Sequence, residues 1–100
     1  MNFDDFWNMV RSSGDLQLET RDKKRLFTMH YESRTDAIEI TPQKTRGVSS
    51  PISRAQFARA WNVAITSVIP FEYDTYRQFE HIASYFGPIM KHFLNDAKIE

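Results

Sequence analysis

The sequence predicts an α+β domain: a helix, a three-stranded antiparallel meander, then two to three helices packed on one face of the sheet. Three observations carry this reading. Phe3, Phe6, Trp7 and Val10 open the chain at the i, i+3, i+4, i+7 spacing of an amphipathic helix. Between Leu16 and Thr41 the apolar period changes to two, as in strands with one wet face. From Ser53 onward the spacing is helical again. Strands grouped together, with helices gathered before and after them, are the pattern of an α+β fold. At 100 residues the chain is expected to form one compact α+β domain over 1–100, because so short a chain rarely divides between two cores.

Each element has a local cause. Asn2 is placed to cap the first helix, and Asp4 and Asp5 suit its positive dipole end. Ser12, Ser13 and Gly14 stop it, with Gly14 able to adopt a left-handed conformation. Leu16, Leu18 and Thr20 alternate with Gln17 and Glu19 in a first strand. After the polar turn at Arg21, Asp22, Lys23 and Lys24, Phe27, Met29 and Tyr31 share one face of a second strand. A turn at Ser33–Asp36 leads to a third strand, Ala37–Thr41, with Ile38 and Ile40 inward and Pro42 ending it. Gln43–Ile52 reads as a basic loop. Ser53 and Gln56 match the S-x-x-Q capping box at the head of a second helix. Its expected inner stripe is Phe57, Ala60, Trp61, Ala64 and Ile65. Asp74 or Thr75 is expected to cap a short helix, and Ser84 a last one that keeps Pro88 in its first turn. Trp7, Phe57, Trp61 and Phe93 are expected to cover Phe27, Met29, Tyr31, Ile38 and Ile40. Tyr73, Tyr76 and Tyr85 are expected at the surface.

Composition narrows the function classes. With 41% hydrophobic and 14% aromatic residues, the chain can pack a core and is not a disordered tract. Cysteine is absent, which excludes disulfides and thiolate metal sites. The amino terminus, MNFDDFWNMV, lacks the basic start of a secretory signal, and no apolar run approaches the ~18 residues a membrane span needs. A cytoplasmic location without membrane contact is the expectation. Net charge is zero, with 13 cationic and 13 anionic residues, but the charge is unevenly spread. Residues 21–60 hold nine basic and four acidic residues, a local excess of five positive charges. A basic middle bears on partners rather than on fold.

Two basic groups are candidate contacts for nucleic-acid phosphate, in DNA or RNA. The first is Lys44, Arg46, Ser49, Ser50, Ser53 and Arg54, a loop running into a helix start whose N–H groups and dipole favour anions. The competing reading is a solvated loop in which Ser53 only caps its helix. The second is the turn at Arg21, Lys23, Lys24 and Arg25, four cations that also suit a soluble hairpin tip. His30 and Glu32 share a strand face, but no third metal ligand is nominated, and His81 and His92 lack metal-ligand spacing. No P-loop, dinucleotide fingerprint or nucleophile elbow appears. No catalytic residue, cofactor or metal is therefore assigned, and an enzyme is not expected.

The stretch LFTMHYESRTDAIEITPQKTRGVSSPISRAQFARAW and the tail ASYFGPIMKHFL carry a further resemblance. A strand ending in I-x-I-T-P, a Ser/Thr/Arg loop and I-S-x-x-x-F-x-x-x-W resemble small proteins of bacterial mobile DNA. These include integron gene-cassette products and binding modules near HNH-type nucleases. The chain has no HNH catalytic motif, so the resemblance implies at most the binding module. The alternative function is a protein-interaction domain or a self-associating homodimer, suggested by the aromatic surplus and zero net charge.

Overall fold

The computed structural model describes residues 1–43 and 51–94. Helix α1 spans Phe3–Ser12. Asn2 caps it reciprocally: its side chain accepts from the Asp5 N–H at 2.9 Å, and the Asp5 carboxylate accepts from the Asn2 N–H at 3.3 Å. Two N–H groups without helical partners are thereby satisfied. Gly14 follows the helix at φ +72, a conformation a side chain would resist.

Strands β1 (Leu16–Glu19), β2 (Leu26–Glu32) and β3 (Ala37–Pro42) form the expected antiparallel meander. A fourth strand, β4 (Ile52–Ser53), pairs with the start of β3, giving the order β1-β2-β3-β4. Two residues are too few to display alternation, so the sequence carries no periodic sign of β4. The register sets Met29 opposite Ile40 and Tyr31 opposite Ile38 on the inner face. Thr28 opposite Thr41 and His30 opposite Glu39 lie on the outer face.

Helix α2 (Arg54–Thr66) begins at the expected box: the Ser53 hydroxyl accepts from the Gln56 N–H at 3.1 Å, and the Gln56 side chain accepts from the Ser53 N–H at 2.8 Å. Phe57, Ala60, Trp61 and Ala64 are buried, but Ile65 is 49% exposed. It lies one step, about 100°, around the helix from Ala64 and so turns off the stripe.

The last third departs further from expectation. A 3₁₀ segment spans Tyr73–Ile82, with Glu72 at its N-cap and non-helical backbone at Tyr76 and Glu80. Asp74 and Thr75 do not cap it. The Thr75 hydroxyl instead donates to the Ile69 carbonyl at 2.7 Å, and Asp74 pairs with Arg77. Helix α3 runs Ala83–Leu94 directly from that segment, with Pro88 inside rather than in its first turn. Ser84 is its second residue and no cap; its hydroxyl donates to Asp22 at 3.1 Å. An interior proline costs about 3 kcal/mol. Phe86, Ile89, Met90 and Leu94 are all buried on this helix. At about 1.5–3 kcal/mol for each large apolar side chain, their packing outweighs the lost backbone bond. Tyr76, expected at the surface, is fully buried because its hydroxyl donates to the Pro70 carbonyl. Burial pushes its phenol well above the ordinary value. Tyr73 and Tyr85 are half-buried.

The helices cover the inner sheet face through rings. Trp7 lies 5.4 Å from Phe57, Phe6 lies 5.2 Å from Trp61, and Phe57 meets Phe86 edge-on at 5.2 Å. Trp7, Phe57, Trp61 and Phe93 pack in one cluster with Phe27, Met29, Tyr31, Ile38 and Ile40, as expected. Asp36 ties this layer to the β2–β3 turn. Its carboxylate accepts from the Trp7 indole N–H at 3.1 Å and from the Tyr31 hydroxyl at 2.6 Å. Those two bonds, Tyr31 first, hold its carboxyl below the usual range.

Two outcomes follow from this packing. A methyl group at Gly87 would meet the Phe71 carbonyl oxygen at 2.5 Å, and backbone cannot give way cheaply. Gly87→Ala should therefore destabilise the fold by about 1–3 kcal/mol in urea unfolding; unchanged stability would show that Phe71 is not held against α3. Asp36, with its depressed folded value, contributes stability in full above the unfolded value of about 3.9 and loses it as pH falls through the lower folded value. Asp36→Asn tolerates the same left-handed backbone, φ 51, but cannot ionise. Unfolding measured from pH 6 down to pH 2 should show a smaller loss of stability in that variant than in the parent. Equal losses would remove Asp36 as a source of acid sensitivity.

Candidate nucleic-acid interface

The β1–β2 connection is a built turn. Thr20 is buried, and its side-chain oxygen accepts from the Arg25 N–H at 2.9 Å. The Thr20 N–H donates to the Arg25 carbonyl at 2.9 Å. Lys24 takes a left-handed backbone, φ 52, to close the connection. Two further bonds dock the turn onto the helical layer: Arg21 pairs with Glu72 at 3.0 Å, and Asp22 accepts from Ser84 of α3. Arg21, Lys23, Lys24 and Arg25 are all exposed.

Docking brings the turn beside basic side chains from α3. Arg21, Lys24, Lys91 and His92 line one cleft of about 730 Å³, together with Glu19 and Glu72. Pro88, Lys91 and His92 face it from α3, at the three- and four-residue spacing that shares a helix face. A smaller groove of about 230 Å³ lies beside it, holding Lys23 and Arg25 near His81 and Tyr85. Across the two grooves, Arg21, Lys23, Lys24, Arg25 and Lys91 face Glu19, Asp22 and Glu72, five cations against three carboxylates.

The other basic group is only partly described. Lys44, Arg46, Ser49 and Ser50 lie outside the described residues. Ser53 and Arg54 are at the start of α2. There, the Ser53 hydroxyl and N–H are engaged in the capping box. Arg54 pairs with Asp4 at 3.0 Å and approaches Asp36 at 3.9 Å. Its guanidinium also lies over the Phe3 ring, 5.9 Å from the centroid. The structure does not bring Ser53 and Arg54 to the β1–β2 turn. Ser53 pairs with Ala37 at one end of β3, whereas Phe27, near the turn, pairs with Pro42 at the other. The seven residues of β2 separate those ends by about 20 Å.

The outer sheet face carries a different set. His30 faces Glu39 across β2–β3, and its Nδ1 lies 2.7 Å from the Asp15 carboxylate. That hydrogen bond, with Glu39 and Glu32 nearby, holds the imidazole above its ordinary value. Lys91, Asp15 and Glu39 were missed in the sequence. Lys91 is a single charge on the last helix, and nothing local links it to residue 24; Asp15 reaches His30 across the β1–β2 pairing. Glu39 did have a signal: a turn at 33–36 sets 30 opposite 39.

Among the described residues no helix is long and apolar enough to cross a membrane. Comparison with family models, curated proteins and solved structures finds no match.

Proposed function

We propose that this domain binds the phosphate backbone of nucleic acid at the β1–β2 turn. The observation carrying the reading is the cleft that gathers Lys24 and Arg21 with Lys91 and His92 of α3. Lys24 and Lys91 supply point charges for phosphate oxygens, and Arg21 adds a planar fork, shared with Glu72. Surface ion pairs of this kind are worth about 0–1 kcal/mol, so the Glu72 contact positions Arg21 without withdrawing it from a phosphate. Phosphate contacts position a protein without reading bases, so the binding is sequence-tolerant. The resemblance to binding modules of bacterial mobile DNA points to the same class of partner, in a cytoplasmic domain that itself performs no catalysis.

Fluorescence anisotropy with labelled duplex DNA and single-stranded RNA tests this. With about three neutralised phosphates, the logarithm of affinity should fall against the logarithm of salt with a slope of about −3 for duplex. Lys24→Ala with Lys91→Ala should weaken binding to unrelated sequences alike and reduce that slope by about two. Arg54→Ala, at the far end of the sheet, should leave binding in place. No anisotropy change at low salt and the highest soluble protein concentration would refute the reading.

A second reading has one observation in its favour. Val68 is 96% exposed, beside Ile65 at 49% and Ile69 at 48%, just beyond the buried stripe of α2. Contiguous exposed apolar side chains mark protein contacts more often than isolated ones do. On this reading the domain self-associates. Sedimentation should then show a concentration-dependent dimer that Val68→Asp converts to monomer; a monomer at all concentrations removes it.

A further inference from the structure

We propose that His30, Glu32 and Glu39 form a zinc site on the open face of the sheet, with Asp15 orienting the histidine. The site is independent of the phosphate-binding reading. It follows from strand geometry. Alternation along β2 sends His30 and Glu32 to the same face, and the β2–β3 register sets Glu39 directly opposite His30. One ligand atom from each of the three lies within 4.8 Å of the other two.

The surrounding contacts engage Nδ1 of His30 and Oε1 of Glu32, which leaves Nε2 and Oε2 as the donor atoms for an ion. Asp15 Oδ1 sits 2.7 Å from Nδ1 of His30, which favours a proton on Nδ1 and a lone pair on Nε2. A carboxylate behind a ligating imidazole is the usual support of a zinc-bound histidine. The N–H and Nε of Arg34 both donate to Oε1 of Glu32, each at 3.1 Å, so Oε2 is the oxygen offered to a cation. A tetrahedral zinc ion with bonds of about 2.0–2.1 Å needs donors about 3.3 Å apart. Contraction from 4.8 Å requires side-chain rotation, and the His30 side chain is 48% exposed and able to turn.

The donor set selects the ion. One imidazole nitrogen with two carboxylates suits zinc and its neighbours, whereas calcium and magnesium prefer oxygen alone. Three protein ligands leave the fourth tetrahedral position to water. The competing arrangement is a His30–Asp15 ion pair with two bystander glutamates. The two differ in what Glu39 does: the ion pair needs no bond from it, whereas the zinc site needs it as a ligand.

Titration calorimetry of the intact chain with zinc chloride, in a buffer that does not chelate, tests the site. Absorbance with cobalt as a spectroscopic substitute gives a second reading. One zinc ion should bind per chain. Glu39→Gln and Glu32→Gln should each weaken binding at least tenfold, and His30→Gln should abolish it. Asp15→Asn should weaken it about 10- to 100-fold and shift the His30 tautomer in its imidazole 15N spectrum. Asp74→Asn, remote from the sheet face, should leave zinc affinity unchanged. His30 and Asp15 are exposed and Glu32 and Glu39 half-buried, none in the core, so circular dichroism should show every variant folded. Absence of zinc uptake by the parent chain, or uptake unaltered by Glu39→Gln, would overturn the proposal. An unmoved tautomer in Asp15→Asn would overturn the role given to Asp15.

Discussion

The alternation along β2, locked by its register with β3, is the constraint on which the rest depends. Phe27 and Met29 go inward because His30 and Thr28 go outward, and a slip of one residue would exchange the two sets. The inward set requires a cover, which the rings of α1, α2 and α3 provide. Asp36 then reports on correct closure, since it reaches both Trp7 and Tyr31 only when α1 lies over the β2–β3 turn. The outward set inherits the same register. His30 meets Glu39 because Tyr31 meets Ile38, so the core and the polar face are two results of one pairing.

The uneven charge of the sequence resolves into positioned groups rather than a uniform basic surface. Arg54 is drawn to Asp4 and Asp36, Arg34 to Glu32, and Arg21 to Glu72. These exposed pairs add little stability individually. Their effect is geometric. The Arg21 pair and the Ser84 bond to Asp22 fasten the β1–β2 turn to the helical layer at two points. Lys24 is thereby set beside Lys91, sixty-seven positions later in the sequence.

Legibility in the sequence followed the range of the forces involved. Asn2, Ser53 and Gln56 act within four residues, so the Asn2 cap and the Ser53–Gln56 box could be read directly, while the return bond from Asp5 to Asn2 was not. The meander was equally plain, because period-two burial needs only neighbouring residues. The last third was not, because there distant packing overrides local preference. Pro88 suggested a helix start, yet α3 encloses it, since Phe86, Ile89 and Met90 gain more from burial than one backbone bond costs. Tyr76 looked superficial until the Pro70 carbonyl supplied the partner that lets a phenol be buried. Thr75 was a sound cap by residue type, but its hydroxyl holds the Ile69 carbonyl instead. Of the candidate sites, the basic turn was legible as a run of charges; its cleft was not, because Lys91 arrives by tertiary folding.

The helices and the sheet therefore divide the work of the molecule. The aromatic layer fixes shape, and its residues are spent on burial. The exposed polar groups lie on the strands' outer face, on the turn that joins β1 to β2 and on the side of α3 that faces that turn. His30 and Glu39 stand on the most extensively paired part of the sheet, where neighbouring backbones hold their Cα atoms at a set spacing. Lys24 stands on a connection closed by Thr20 and fastened by Asp22. Paired backbone beneath exposed, charged side chains favours ion binding, because only side-chain freedom is lost when an ion arrives. By that argument the same strand register that builds the core sets out the polar outer face, while α3 adds Lys91 and His92 to the cleft beside the β1–β2 turn.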